Sequence, residues 1–166
     1  MLAEFEKQKI EREHIIRESR PTMIISLAML ASIAAYAVVA WLLAGNRPPT
    51  RAIRDAWSIL NIVAIMLIIA VLAVRKTIYF SPRLVRDDFT LTALLQRWRA
   101  IDIVLLSFAE VIAVCGLVIT LLGMPFARTF HFFVSGFLLA MINMPITFKV
   151  RDKIRMFEKY AGRSIL

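Results

Sequence analysis

Four long apolar stretches, residues 22–44, 57–74, 101–122 and 129–148, decide what this chain can fold into. Each runs for 18–23 residues. As an α-helix rising ~1.5 Å per residue, each reaches ~27–34 Å, which matches a bilayer hydrocarbon core of ~30 Å. None shows the apolar–polar alternation of a barrel strand. Lipid offers the backbone no hydrogen bonds, so only a closed barrel or helices span it, and helices remain. Apolar residues make up 60% of the 166, against roughly 45–50% in ordinary proteins. The expected fold is all-α: an integral membrane four-helix bundle over 22–148, with a charged amphipathic helix over 1–21 and a basic amphipathic tail over 149–166. The first apolar run is longer than the ~7–15 residues of a cleavable signal peptide, so it reads as an uncleaved anchor.

The basic residues set the orientation. Segment 1–21 carries five Lys and Arg, 75–99 six and 149–166 six, whereas 45–55 has three and the third loop only Arg128. That is 17 against 4, and positively charged loops stay in the cytoplasm. Both termini and the central loop are expected inside. The bias also argues against a dual-topology small multidrug transporter, which needs near-balanced loops. The net charge of +9 points to anionic headgroups of the inner leaflet rather than to nucleic acid, because the basic residues crowd the helix ends.

Enzyme chemistry has no visible constellation: no histidine pair, Ser/His/Asp set or glycine-rich phosphate loop occurs. The single cysteine, Cys115, allows no intrachain disulfide and no CxxC pair for redox or metal work. No catalytic residue, metal site or cofactor is expected.

Between the spans the chain is punctuated by turn residues. Lys7–Glu11 and Glu13–Arg17 sit at helical i,i+4 spacing, so the N-terminal segment reads as a surface helix running into the first span near Pro21. Within that span Ala28 and Ser32, and Ala31 and Ala35, stand four apart, the spacing that lets helix backbones approach closely in lipid. Asn46-Arg47-Pro48-Pro49 and Gly123-Met124-Pro125 are outside turns. The second span continues through Phe80 and ends at Ser81-Pro82. Asp87-Asp88 would cap a short interfacial helix over 89–99, with Leu91, Leu94, Leu95 and Trp98 on one face. The fourth span ends near Pro145, and beyond it basic residues alternate with Ile154, Met156, Phe157 and Tyr160.

One residue is expensive. Glu110 lies about ten residues into the third stretch, where a charge costs at least ~2.5–3.5 kcal/mol on insertion scales. The aliphatic residues around it return ~0.3–0.6 kcal/mol each, so the helix still inserts, yet helix formation does not require the acid. Apolar surroundings favour the neutral form of any carboxyl. A carboxyl that crosses lipid neutral and ionises on meeting water or a cation is what a proton carrier needs. A protonated structural acid bonded to a neighbouring helix explains the same residue. Its candidate hydrogen-bond partners are Ser32, Asn61 and Ser135 at compatible depth, and Ser107 one turn away. His131 and Asn143 read as helix–helix hydrogen-bonding residues, and Asp102 as a helix-start acid favoured by the helix dipole.

The run Phe108-Ala109-Glu110-Val111-Ile112-Ala113-Val114-Cys115-Gly116-Leu117-Val118-Ile119 resembles the carboxylate helix of the proton-carrying c subunit of rotary ATP synthases, with Cys115 in place of the family's aromatic. Met124-Pro125-Phe126 is similar to that family's following turn. The glycine-repeat helix of the c subunit is missing, since 57–74 holds no glycine. A wider pattern, Gln96-Arg97-Trp98-Arg99-Ala100, the Glu110 run, Phe133-x-x-Gly136-Phe137-Leu138-Leu139 and Pro145, resembles a group of uncharacterised bacterial four-helix membrane proteins. This resemblance implies a bacterial inner-membrane location and no particular activity. At an offset of 79, Ile33, Ala34, Val39, Leu42 and Leu43 meet Ile112, Ala113, Val118, Leu121 and Leu122, a hint of a duplicated hairpin in which only the second copy keeps the acid.

Two functions lead at this point, ahead of an unassisted transporter, for which the spans of a monomer hold too few polar residues to line a water-filled path. One is a non-enzymatic, c-subunit-like subunit that handles protons or ions through Glu110. The other is a structural or accessory subunit in which Glu110 is a buried hydrogen-bonding residue. The expected partners are the bilayer with its anionic inner leaflet and either further copies of the chain or a larger membrane complex.

Overall fold

The computed structural model describes residues 2–45, 48–78 and 91–144. It contains four α-helices in chain order: α1 (Leu2–Leu43), α2 (Arg51–Ile78), α3 (Leu91–Leu121) and α4 (Phe126–Asn143). Within them lie four segments long and apolar enough to cross a membrane: Ser19–Leu43, Arg51–Thr77, Leu95–Leu121 and Phe126–Asn143. The helices α1, α2 and α3 extend well beyond their apolar stretches at one end or both, because hydropathy marks lipid, whereas a helix continues until its backbone is stopped.

One of the sequence boundaries changes accordingly. The helix α1 runs from the polar N-terminal segment through Pro21 without ending, although proline removes one helical hydrogen bond there. At 42 residues it would span ~63 Å, about twice a hydrocarbon core. Residues 91–99, expected as a separate interfacial helix, are the first part of α3 and continuous with the third span. Asp102 is therefore eleven residues inside α3, not at its start, and is only 3% exposed. The expected end of the second span at 79–82, the Asp87-Asp88 cap and the tail over 149–166 lie outside the described residues.

The turn between α3 and α4 follows from its sequence. Gly123 adopts φ +108, a left-handed conformation open to glycine at no steric cost. Its N–H bonds to Thr120 O at 2.9 Å and the Met124 N–H to Ile119 O at 3.1 Å, the paired bonds of a Schellman end. Met124 is fully buried and closes the motif from the apolar side. Thr120 and Thr129 then join the two helices through their hydroxyls at 2.7 Å. At the far end, α4 stops at Asn143 because Met144, extended at ψ 125, precedes Pro145 and is barred from the helical region.

The core is built around α3. It packs along α4 and α1, α1 also reaches α4, and α2 rests mainly on α3. Small residues set the α3–α4 approach: a Cβ on Gly136 would lie 2.7 Å from the Ala109 carbonyl oxygen and 3.4 Å from Ala113 Cβ. On the other side, one on Gly116 would meet Phe132 Cβ at 2.7 Å. Leu105, Leu106, Ile112, Phe132 and Leu139 fill the remaining interior. The close seam thus lies between α3 and α4, not on the α1 alanine stripe. Ala28, Ala31 and Ala35 are exposed, because α1 turns the face of Thr22, Ser26, Ile33 and Ala40 inward.

The helix α2 buries only Ala64 and Val71, seven residues apart. A polar clasp holds its first half. Trp57 Nε1 donates to Arg128 O at 3.2 Å, and Asn61 Oδ1 lies 2.6 Å from His131 Nε2. Asn61 Nδ2 meanwhile donates to Trp57 O at 2.9 Å, so Oδ1 accepts and the imidazole carries its hydrogen on Nε2. The two hairpins do not fold alike. The helices α3 and α4 pack closely whereas α1 and α2 barely touch, and Ala34 is exposed where its counterpart Ala113 is buried.

Candidate functional site

Glu110 sits two residues beyond the midpoint of the Leu95–Leu121 segment, a displacement of only ~3 Å along the helix. Ser32 is one residue beyond the midpoint of Ser19–Leu43, and Tyr36 follows it by one helical turn. Packing of α1 on α3 brings the three together. Ser32 Oγ donates to Glu110 Oε1 at 2.8 Å and Tyr36 Oη donates to the same oxygen at 3.1 Å. Among the described residues Oε2 takes no hydrogen bond and Glu110 forms no ion pair.

The Ser32 hydroxyl has a second acceptor, Met29 O, also at 2.8 Å. One hydroxyl hydrogen serves two acceptors. When it points at Glu110, the carboxyl accepts, as an ionised acid must. When it points at Met29, the carboxyl supplies the hydrogen between Oε1 and Oγ, as a protonated acid can. A single hydroxyl rotation therefore keeps Oε1 hydrogen-bonded in both protonation states.

Away from α1, Glu110 borders a groove of about 360 Å³ between α2 and α3, lined also by Leu60, Ser107, Val111, Val114, Cys115 and Val118. Ser107 shares this wall but spends its hydroxyl on Ile103 O at 3.0 Å. Of the other residues named from the sequence, Asn61 belongs to the α2–α4 clasp with His131. Ser135 is half-buried on α4 and is not bonded to Glu110. Asn143 donates to Leu139 O within its own helix at 2.8 Å rather than to a neighbour.

Tyr36 is the partner that sequence reasoning passed over. Its signal was the i,i+4 spacing from Ser32, which puts both hydroxyls on one face of α1. Among the described residues no group of three or more His, Cys, Asp or Glu side chains is placed to hold a metal ion, and Cys115 is a free thiol. Compared with protein-family models, curated proteins and solved structures, the chain matches none.

Proposed function

We propose that this chain is a non-enzymatic multi-pass protein of the bacterial inner membrane that handles protons or ions through Glu110, in the manner of a c-type subunit. The carrying observation is the Glu110 carboxyl near mid-segment, on two hydroxyls and with no countercharge among the described residues. The second hydrogen-bonding option of Ser32 supports the same reading, because a carrier must be stable both with and without its proton. The 17-to-4 distribution of basic residues supports cytoplasmic termini, and the likeness of the Glu110 run to the c-type acid helix supports the inner-membrane setting.

The alternative is an accessory subunit in which Glu110 fastens α1 to α3. The observation in its favour is that both of the acid's bonds run to α1. Glu110→Gln separates the two. Glutamine keeps the shape and can both donate and accept, but it exchanges no proton. Ion exchange in liposomes is expected to vanish in this variant while assembly and thermal stability hold; full exchange by the Gln variant would overturn the carrier reading.

A further inference from the structure

The groove beside Glu110 has the composition of a ligand site rather than of a gap between helices. Its volume of about 360 Å³ lies within the ~300–1,000 Å³ of small-molecule pockets, which are apolar with a few placed polar groups. Of its two oxygen-bearing side chains, Ser107 spends its hydroxyl on its own helix. Glu110 supplies the only carboxyl among the lining residues, and its Oε2 takes no hydrogen bond among the described residues. The groove opens to the outside of the bundle, where Val111, Val114 and Val118 are 45%, 37% and 45% exposed. We propose that this groove binds a lipophilic monocation, an organic ammonium whose charge pairs with the Glu110 carboxylate and whose alkyl groups lie on Leu60, Val111, Val114 and Val118.

Three arguments select that class. One carboxyl with no countercharge among the described residues calls for a single positive charge, and a second would remain buried and unpaired. A bare inorganic cation needs about six oxygens in place of its water, and a wall of valine and leucine has none to give. An organic cation brings its own apolar shell, which meets valine and leucine at no cost relative to the acyl chains it leaves. The ammonium of a bilayer lipid is not the occupant, because headgroups stay at the interface, ~15 Å from a mid-segment carboxyl. A free amphiphile enters sideways from the hydrocarbon.

Charge balance fixes the exchange. If the carboxyl is protonated in the empty groove, the O–H bond breaks as the cation enters: one proton leaves for each monocation bound, and no net charge is buried. The groups facing this step are few. The helix α1 contributes Tyr36 and α3 contributes Cys115, while α2 offers Leu60 and α4 lines no part of the groove. The inference rests on the proposed reading in one respect, that Glu110 can ionise.

The test uses the full chain in lipid nanodiscs with tetrabutylammonium as probe, followed by calorimetry, and carbodiimide labelling of Glu110 read by mass spectrometry. Saturable one-to-one binding is expected, with a loss of at least ~30-fold in Glu110→Gln, since ~2 kcal/mol of charge pairing is removed. Val114→Phe, which fills the groove from an exposed position, is expected to abolish binding while Glu110 stays open to carbodiimide. Absence of saturable binding to the unmodified chain, or equal binding to Glu110→Gln, would overturn the inference. Retained, pH-dependent labelling of Glu110 alongside either result would leave the proton-handling reading standing and assign the groove to lipid acyl chains alone.

Discussion

Ser32 Oγ stands 2.8 Å from Glu110 Oε1, the distance of a full hydrogen bond between α1 and α3 at the middle of both apolar segments. Tyr36 Oη donates to the same oxygen from the same face of α1. One geometry at that junction suits both a fastening and the proposed exchangeable proton.

If the junction fastens the helices, removing its donors costs stability. Ser32→Ala and Tyr36→Phe each delete one hydroxyl and leave the packing intact. Each is expected to lower stability by ~0.6–2 kcal/mol, the range for interhelical hydrogen bonds in lipid. A double-mutant cycle with Glu110→Gln should give a coupling of at least ~0.5 kcal/mol for Ser32. Additive effects in denaturation from mixed micelles would mean that the Ser32–Glu110 bond contributes nothing.

The α3–α4 seam is predicted to be intolerant of one added methyl group. In Gly136→Ala the new Cβ would press on the Ala109 carbonyl at 2.7 Å, and a backbone atom cannot move aside as a side-chain tip can. A loss of ~1–3 kcal/mol is expected from the forced separation of the helices. Thermal denaturation in detergent measures it, and an unchanged midpoint would mean that the helices cross further apart.

The α1 alanines give the opposite expectation. Ala28 and Ala35 face outward, so Ala28→Leu and Ala35→Leu should change the stability of the single chain by no more than ~0.5 kcal/mol. A larger loss at both positions would show that this stripe is covered by another helix.

How much of this could be read from the sequence depended on which physical term marked the residue. The four spans were legible because a bilayer requires both length and apolarity, and Glu110 was legible because a carboxyl in such a stretch has a conspicuous cost. The faces of the helices were not legible. In lipid the outside of a bundle is as apolar as its inside, so hydropathy cannot tell Ala28, which is exposed, from Ala40, which is buried. Small-residue spacing was equally ambiguous, occurring on α1, where Ala28, Ala31 and Ala35 are exposed, and on α3, where Gly136 of α4 approaches. Asp102 was read as a helix start because hydropathy places the span's beginning there, although α3 begins at Leu91. Tyr36 was hidden by its apolar setting, since a tyrosine within 22–44 counts toward a span before it counts as a donor. The turn at Gly123 was fully legible, because the glycine, the following Met124 and Pro125 each carry a local rule that lipid does not alter.

The central claim is that Glu110 changes protonation state while the protein stays folded. Carbodiimide labels protonated carboxyls in apolar surroundings, so its reaction with Glu110 as a function of pH measures that change directly. Ser32→Ala serves as a companion, because it removes the hydroxyl that accommodates both states. Glu110 of the unmodified chain in nanodiscs is predicted to be labelled at acidic pH, with labelling that falls as pH rises and returns when pH is lowered again. No labelling at any pH, or labelling that stays constant across the range, would contradict it and leave Glu110 as a fixed link between α1 and α3.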